Sequence, residues 1–381
     1  MPSGPLGLIS AGLAFGILSL PLSACAAGTG ALPASEACAP DARVASWSIA
    51  RLASQVVAIP VQEADVAAVR PEVAEGVGGL LLFGTAAPSN EGAQLAALDS
   101  SAPGNVAPLV MTDEEGGAVE RMANLVGALP SARQMGATMS RAQIEQVARQ
   151  LGAAMRAQGV TMDLAPVLDL DAGAGPNAQD PDGTRSFSPN AALATEDGLA
   201  FAEGLAAGGV IPVVKHFPGL GQATGNTDDG PARTEPYSAL LRGGLVPFQA
   251  AISAGLPAVM VANASVPGLT SRPASLSQTV ITSLLKRWLG FKGLVLTDSL
   301  TAKAISDLGV GVGQASVRAL KAGADLVLFG EGDPATQLAA IRGAIGAAVE
   351  SGGLPLRRLQ DAASAVLRAK HLTGCGPGHA R

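Results

Sequence analysis

Between residues 45 and 372, short apolar and β-branched runs alternate with longer segments of Ala, Leu and charged residues at helical spacing. The short runs fall at 55–59, 79–83, 108–112, 161–165, 211–215, 258–262, 293–297 and 325–329. They are nearly continuous in apolar residues, as strands are when helices cover both faces of a parallel sheet. Eight strand–helix units in roughly this length fit a closed barrel better than an open doubly wound sheet. The expected fold class is therefore α/β. One (β/α)₈ TIM-type barrel spans 45–372 with some irregular strands, ends in a helix-like segment at 354–371, and is followed by a tail at 373–381.

The polar residues are placed informatively within this pattern. Asp113 follows the third run, Lys215 and His216 end the fifth, and Asp298 ends the seventh. Each alone reads equally well as a helix cap or a solvated loop residue. In a barrel, however, the C-terminal strand ends converge on one mouth, where active sites are built.

Composition narrows the function classes. Of 381 residues, 48% are hydrophobic and 15% charged, enough for a large core. Beyond residue 24 no uncharged apolar run is long enough to span a bilayer. The formal net charge of -6 is not the footprint of a nucleic-acid binder. Three histidines and three scattered cysteines give no zinc-ligand spacing, and no glycine loop has the strand–helix context that cradles phosphate. Neither metal nor cofactor is expected.

The N-terminus is a separate unit. Residues 5–24 read PLGLISAGLAFGILSLPLSA and end in Leu22-Ser23-Ala24-Cys25. Small residues before a cysteine, after such a stretch, resemble a bacterial lipoprotein signal spanning 1–25. The resemblance implies cleavage and lipidation of Cys25, with 26–44 as a flexible tether rich in small residues and Pro/Gly. An ordinary signal peptide or an N-terminal membrane helix are the alternatives. Each places the remaining chain outside the cytoplasm, lipid-anchored to the membrane or secreted. Cys38 and Cys375 then flank the folded body, and an oxidising compartment permits a disulfide between them; two unpaired thiols are the other reading.

The string Val213-Val214-Lys215-His216-Phe217-Pro218-Gly219 resembles the KHFPG signature of family 3 glycoside hydrolases, in their β-N-acetylhexosaminidase (N-acetylglucosaminidase) branch. Three further segments agree in order. Asp113-Glu114-Glu115-Gly116-Gly117 with Arg121 resembles the D-x-E-G-G-x-x-x-R segment that grips the terminal sugar. Thr184-Arg185-Ser186-Phe187 resembles the R-[SA]-F loop after the fourth strand. Gly293–Leu300, GLVLTDSL, resembles the strand-seven segment whose first aspartate is the nucleophile. The resemblance covers almost all of 45–372. It implies an exo-acting retaining hydrolase that releases terminal β-linked N-acetylglucosamine from cell-wall fragments or glycoconjugates. Asp298 would be its nucleophile, and Asp113, Arg121, Arg185, Lys215 and His216 would bind the sugar.

The residue types suit that chemistry. A retaining glycosidase needs a carboxylate to attack the anomeric carbon. Lys215 and Arg121 would keep it ionised, and Asp113 would accept charge-assisted hydrogen bonds from sugar hydroxyls. Only 3% of residues are aromatic, which suits one terminal sugar better than a long polysaccharide groove. A lyase using Lys215 as a Schiff base fits less well, since flanking carboxylates should hold that lysine protonated.

One departure matters. In this branch the loop after KHFPG carries the pattern H-G…D-[ST]-H, whose last histidine is the acid/base. Here Leu220 stands at the first histidine and Gly230 near the last, in LGQATGNTDDGP; His371 and His379 are far along the chain. Asp228 and Asp229 are adjacent in that loop, and mutual repulsion should raise one of them, so Asp228 is the candidate acid/base. The alternative is a catalytically impaired amino-sugar-binding lipoprotein of the same fold.

Overall fold

The structure is a computed structural model that describes residues 42–371; Cys25, Cys38 and Cys375, with their lipid and disulfide expectations, lie outside the described residues. Eight strands are present: β1 Val57–Gln62, β2 Gly79–Phe83, β3 Leu109–Thr112, β4 Met162–Asp163, β5 Ile211–Phe217, β6 Ala258–Val261, β7 Leu294–Thr297 and β8 Val327–Leu328. Their order is β7-β6-β5-β4-β3-β2-β1-β8, and every named pairing is parallel. A parallel bridge between Leu296 and Leu326 joins the two ends. The expected (β/α)₈ barrel is therefore the observed one.

The longer surrounding helices are α1 Ile49–Gln55, α2 Glu91–Asp99, α3 Arg141–Ala157, α4 Ala191–Ala207, α5 Val246–Ser253, α6 Thr279–Trp288, α7 Val312–Ala322, α8 Pro334–Glu350 and α9 Leu356–Ala369. Their starts follow capping chemistry. Ser48 accepts from Arg51 N at α1, Ser140 and Gln143 form a capping box at α3, and Asn190 accepts from two first-turn amides at α4.

The strand bounds differ from the expected ones for local reasons. The Ser48 cap carries α1 through Gln55, so β1 begins at Val57 rather than 55 and runs on to Gln62. β4 keeps only two ladder residues because Pro166 has no N–H to donate. The chain nevertheless stays beside β5, with Lys215 N donating to Pro166 O at 3.1 Å and Leu168 N to Lys215 O at 2.7 Å. Packing begins slightly before residue 45, because Val44 is already fully buried.

Two apolar layers follow from strand periodicity. Leu81, Leu109, Met111, Val213, Ala258, Met260, Leu294 and Leu296 form one cluster. Their chain neighbours Leu80, Leu82, Val110, Val214, Val259, Val261 and Val295 belong to another, shared with the helices. Side chains alternate faces along a strand, so the first set fills the barrel and the second seats the helices. That parity positions the chemistry. Asp113 is two residues beyond Met111, Lys215 two beyond Val213, and Asp298 two beyond Leu296. All three continue the inward face at the C-terminal end. At Lys215–His216 the β5–β6 register shifts between Val214 and Phe217, an irregularity of the kind that re-aims side chains beside sites.

Candidate active site

β3, β5 and the loop after β4 together build an ion-pair chain at the mouth. Lys215 Nζ lies 2.6 Å from Asp113 Oδ1 and 2.6 Å from Glu115 Oε1. Arg185 grips Glu115 in a two-bond fork, Nε to Oε2 at 2.8 Å and Nη2 to Oε1 at 2.9 Å. The turn that delivers Glu115 needs glycine. Gly116 and Gly117 have φ of 92° and 65°, and a Cβ on Gly116 would sit 2.5 Å from Pro130 O.

Burial decides the strength of this chain. Lys215 and Glu115 are 2% and 4% exposed. Burial alone would raise the Glu115 carboxyl, but Arg185 and Lys215 outweigh it and hold it well below the usual carboxylate range. Burial would lower Lys215, but Asp113 and Glu115 outweigh it and raise its pKa. Lys215 is thus a fixed ammonium, which argues against an amine nucleophile at this position.

A second unit orients His216. Asp169 Oδ2 accepts from His216 N at 2.9 Å and contacts Nδ1 at 2.7 Å, while Oδ1 accepts from Leu220 N at 2.6 Å. With Asp169 as the acceptor, Nδ1 carries the proton and Nε2 is left as an acceptor. Burial raises Asp169 to about 6, against the backbone amides of Leu220 and His216. Asp182 is pushed to about 8, first by burial and then by the charge of Asp169. Asp182 is thus the more readily protonated of the two carboxyls. Burial lowers His216, and the charge of Asp182 opposes it without prevailing.

Asp169, Asp182 and His216 are also the one group of metal-ligand type among the described residues, with ligand atoms within 4.8 Å of one another. The fit is poor. A tetrahedral zinc keeps its ligand atoms about 3.3 Å apart, whereas Asp169 and His216 are bonded to each other at 2.7 Å.

Asp298 is half-buried at the end of β7, its backbone N on Val261 O at 3.0 Å and its Oδ1 accepting from Ser299 N at 2.7 Å. Burial raises its pKa, His216 and Lys215 pull it down, and the charge of Asp228 pushes it up. Asp228 rides a loop that bridges the mouth. Asn226 N donates to Ala178 O at 3.0 Å on the β4 side, and Ala304 N to Thr227 O at 2.9 Å on the β7 side. The same loop passes so near the β4 segment that a Cβ on Gly221 would lie 2.2 Å from Leu170 O. Asp228 itself reaches solvent. Desolvation under the loop still raises its carboxyl, Arg185 opposes, and neighbouring Asp229 adds to the rise.

The structure thus gathers Asp113, Lys215, Arg185, His216, Asp298 and Asp228 at one mouth. Arg121 is placed differently: its guanidinium sits 5.5 Å over the Phe83 ring, and its charge acts on Glu63. The described hydrogen bonds and ion pairs do not join it to Lys215 or Asp113. Three residues at the centre of the networks, Glu115, Asp169 and Asp182, were not singled out from the sequence. Glu115 lies inside the quoted sugar-gripping segment, and Asp169 follows the fourth apolar run, so the strand-end rule applied there would have found it.

A parallel barrel whose mouth holds an inward carboxylate beside carboxylate-anchored cations has the plan of a sugar-cleaving enzyme. The chain belongs to glycosyl hydrolase family 3, whose N-terminal domain profile matches residues 52–369. It is 37% identical over 290 residues to Beta-hexosaminidase LpqI of Mycobacterium tuberculosis, covering 74% of this chain and 72% of that protein. The solved structure of M. tuberculosis LpqI is similar at TM-score 0.79 and 34% identity, over 90% of this chain and 98% of that one. A Beta-N-acetylhexosaminidase from Beutenbergia cavernae is similar at TM-score 0.77 and 29% identity, over 86% and 99% of the two chains. A secreted glycosyl hydrolase of Arthroderma benhamiae is 37% identical over 300 residues, 76% of this chain and 83% of that protein.

Proposed function

We propose that this protein is an exo-acting retaining β-N-acetylhexosaminidase that releases terminal N-acetylglucosamine from cell-wall fragments or glycoconjugates. The observation that carries the reading is Asp298, which continues the inward face of β7 into a mouth lined by Lys215 and His216. Asp298 attacks the anomeric carbon, and the leaving oxygen takes a proton from Asp228 on the bridging loop. Water then hydrolyses the glycosyl ester, with Asp228 acting as base. Asp113 and Arg185 hold sugar hydroxyls, Lys215 fixes Asp113 and keeps Asp298 ionised, and His216 offers Nε2 as an acceptor. Arg121 borders the mouth from the Phe83 side. The relatives named hexosaminidases support the sugar class.

The secreted relative and the apolar N-terminal stretch support an extracytoplasmic site of action, with Cys25 as the lipid attachment point. The test is turnover of an aryl β-N-acetylglucosaminide. Asp298→Ala should abolish it while leaving the melting temperature near wild type, and a 2-fluoro glycoside should label Asp298. A variant retaining a tenth of wild-type kcat, or label on another residue, would overturn the assignment. Tight binding of N-acetylglucosamine without turnover would favour the binding-protein reading.

A further inference from the structure

A groove of about 350 Å³ is lined by Arg272, Leu276, Gln278, Arg318, Lys321 and Ala322. None of these residues belongs to the mouth. Arg272 comes from the segment after β6, Gln278 stands at the start of α6, and Arg318 and Lys321 lie three residues apart on α7, hence on one helix face.

We propose that this groove binds a phosphate monoester. Three cations converge on it and no acid lines it. Arg272, Arg318 and Lys321 are exposed, and among the described residues none makes an ion pair or side-chain hydrogen bond. Elsewhere surface arginines do find partners, as in Arg141–Glu203 and Arg149–Glu145.

A second feature adds positive potential. α6 is ten residues long, its first turn contains no acid, and Gln278 makes no side-chain cap bond there. The helix dipole favours an anion at such an end, although the amides of Val280 and Ile281 already donate to Ser277 O.

The arrangement selects among anions. One arginine fork satisfies a carboxylate, but three cations, two on α7 and one from the segment after β6, match a dianion with three terminal oxygens. A phosphodiester offers only two terminal oxygens and one charge. The space is within the range of small-molecule sites, about 300–1,000 Å³, and exceeds what bare phosphate fills. Buried Leu276 and Ala322 give the organic part of an ester an apolar wall.

The test is calorimetric titration of the whole protein with glycerol 1-phosphate, at constant ionic strength. Sodium acetate and a glycerol phosphodiester serve as comparison anions. The expected result is saturable binding at least tenfold tighter for the monoester than for either. Arg318→Ala/Lys321→Ala, and separately Arg272→Gln, should each weaken it at least tenfold. Both variants should keep the wild-type melting temperature and turn over an aryl hexosaminide within twofold of wild type. Equal binding by variants and wild type would overturn the proposal, as would acetate or the diester matching the monoester.

Discussion

Replacing Glu115 by glutamine keeps its shape and removes the charge that holds Lys215 and Arg185 together. In the native protein its oxygens accept from Lys215 at 2.6 Å and from Arg185 at 2.8 and 2.9 Å, and both carboxylate and ammonium are buried. Removing one partner of such a buried pair costs about 3–5 kcal/mol, because the remaining charges keep their desolvation cost. The upper half of that range is expected here, since two cations lose one shared counterion. Activity should fall as well, by about 100-fold in kcat/KM, since a shift near 1 Å in a substrate-positioning group costs that much. Urea unfolding and turnover of an aryl β-N-acetylglucosaminide measure the two effects. Arg185→Met completes a double-mutant cycle, whose coupling energy should exceed about 2 kcal/mol. The pH dependence has a definite sign. The folded-state pKa of Glu115 is depressed, so its contribution is fully present above about pH 4.5 and is lost only as pH falls toward the folded value below that. A Glu115→Gln protein within 1 kcal/mol of wild type, with unchanged kcat/KM, would refute the reasoning.

Asp228→Asn should slow glycosides with poor leaving groups at least tenfold more than activated aryl ones, because only the former need a proton donor; equal losses would remove Asp228 from that role. Asp182 is raised to about 8, so its stabilising contribution is fully present below the unfolded value near 4 and is lost as pH rises through 8. Asp182→Asn should therefore flatten the stability profile between those limits by up to about 1.4 kcal/mol per pH unit, read from urea midpoints; an unchanged slope would contradict the assignment.

The barrel was legible because its strands are buried on both faces and leave an unmistakable apolar rhythm. Strand ends were less legible, since they depend on partners the sequence does not display. Gln55 looks like strand but is claimed by a helix capped at Ser48, and β4 is cut short by a proline three residues downstream. Asp113, Lys215 and Asp298 could be placed because strand parity extends the core pattern by one step. Asp169 was within reach of the same strand-end rule, but Asp182 was not, since it sits on an irregular excursion after β4 and meets His216 only through tertiary packing. Glu115 was visible but unassigned, because nothing in sequence says that two cations from other segments fold onto it.

The missing loop histidine is better understood through the electrostatics of the mouth than through the loop alone. A nucleophile must be ionised when the general acid is protonated, so their environments must pull apart. Burial raises Asp298, and His216 and Lys215 pull it only part of the way back toward ionisation. Asp228 is likewise raised first by desolvation, with Arg185 opposing and Asp229, Glu331 and Asp113 adding to the rise. The two also act on each other, since the charge of Asp228 raises Asp298. Protonating Asp228 therefore favours ionised Asp298, which is the pairing that retention requires. A histidine at this position would be cationic when acting as the acid and would itself stabilise ionised Asp298. On the proposed roles a neutral carboxylic acid lends no such charge, so the pull on Asp298 toward ionisation is left to His216 first and Lys215 second. Lys215 can contribute to that pull because Asp113 and Glu115 raise its pKa and keep it charged despite burial.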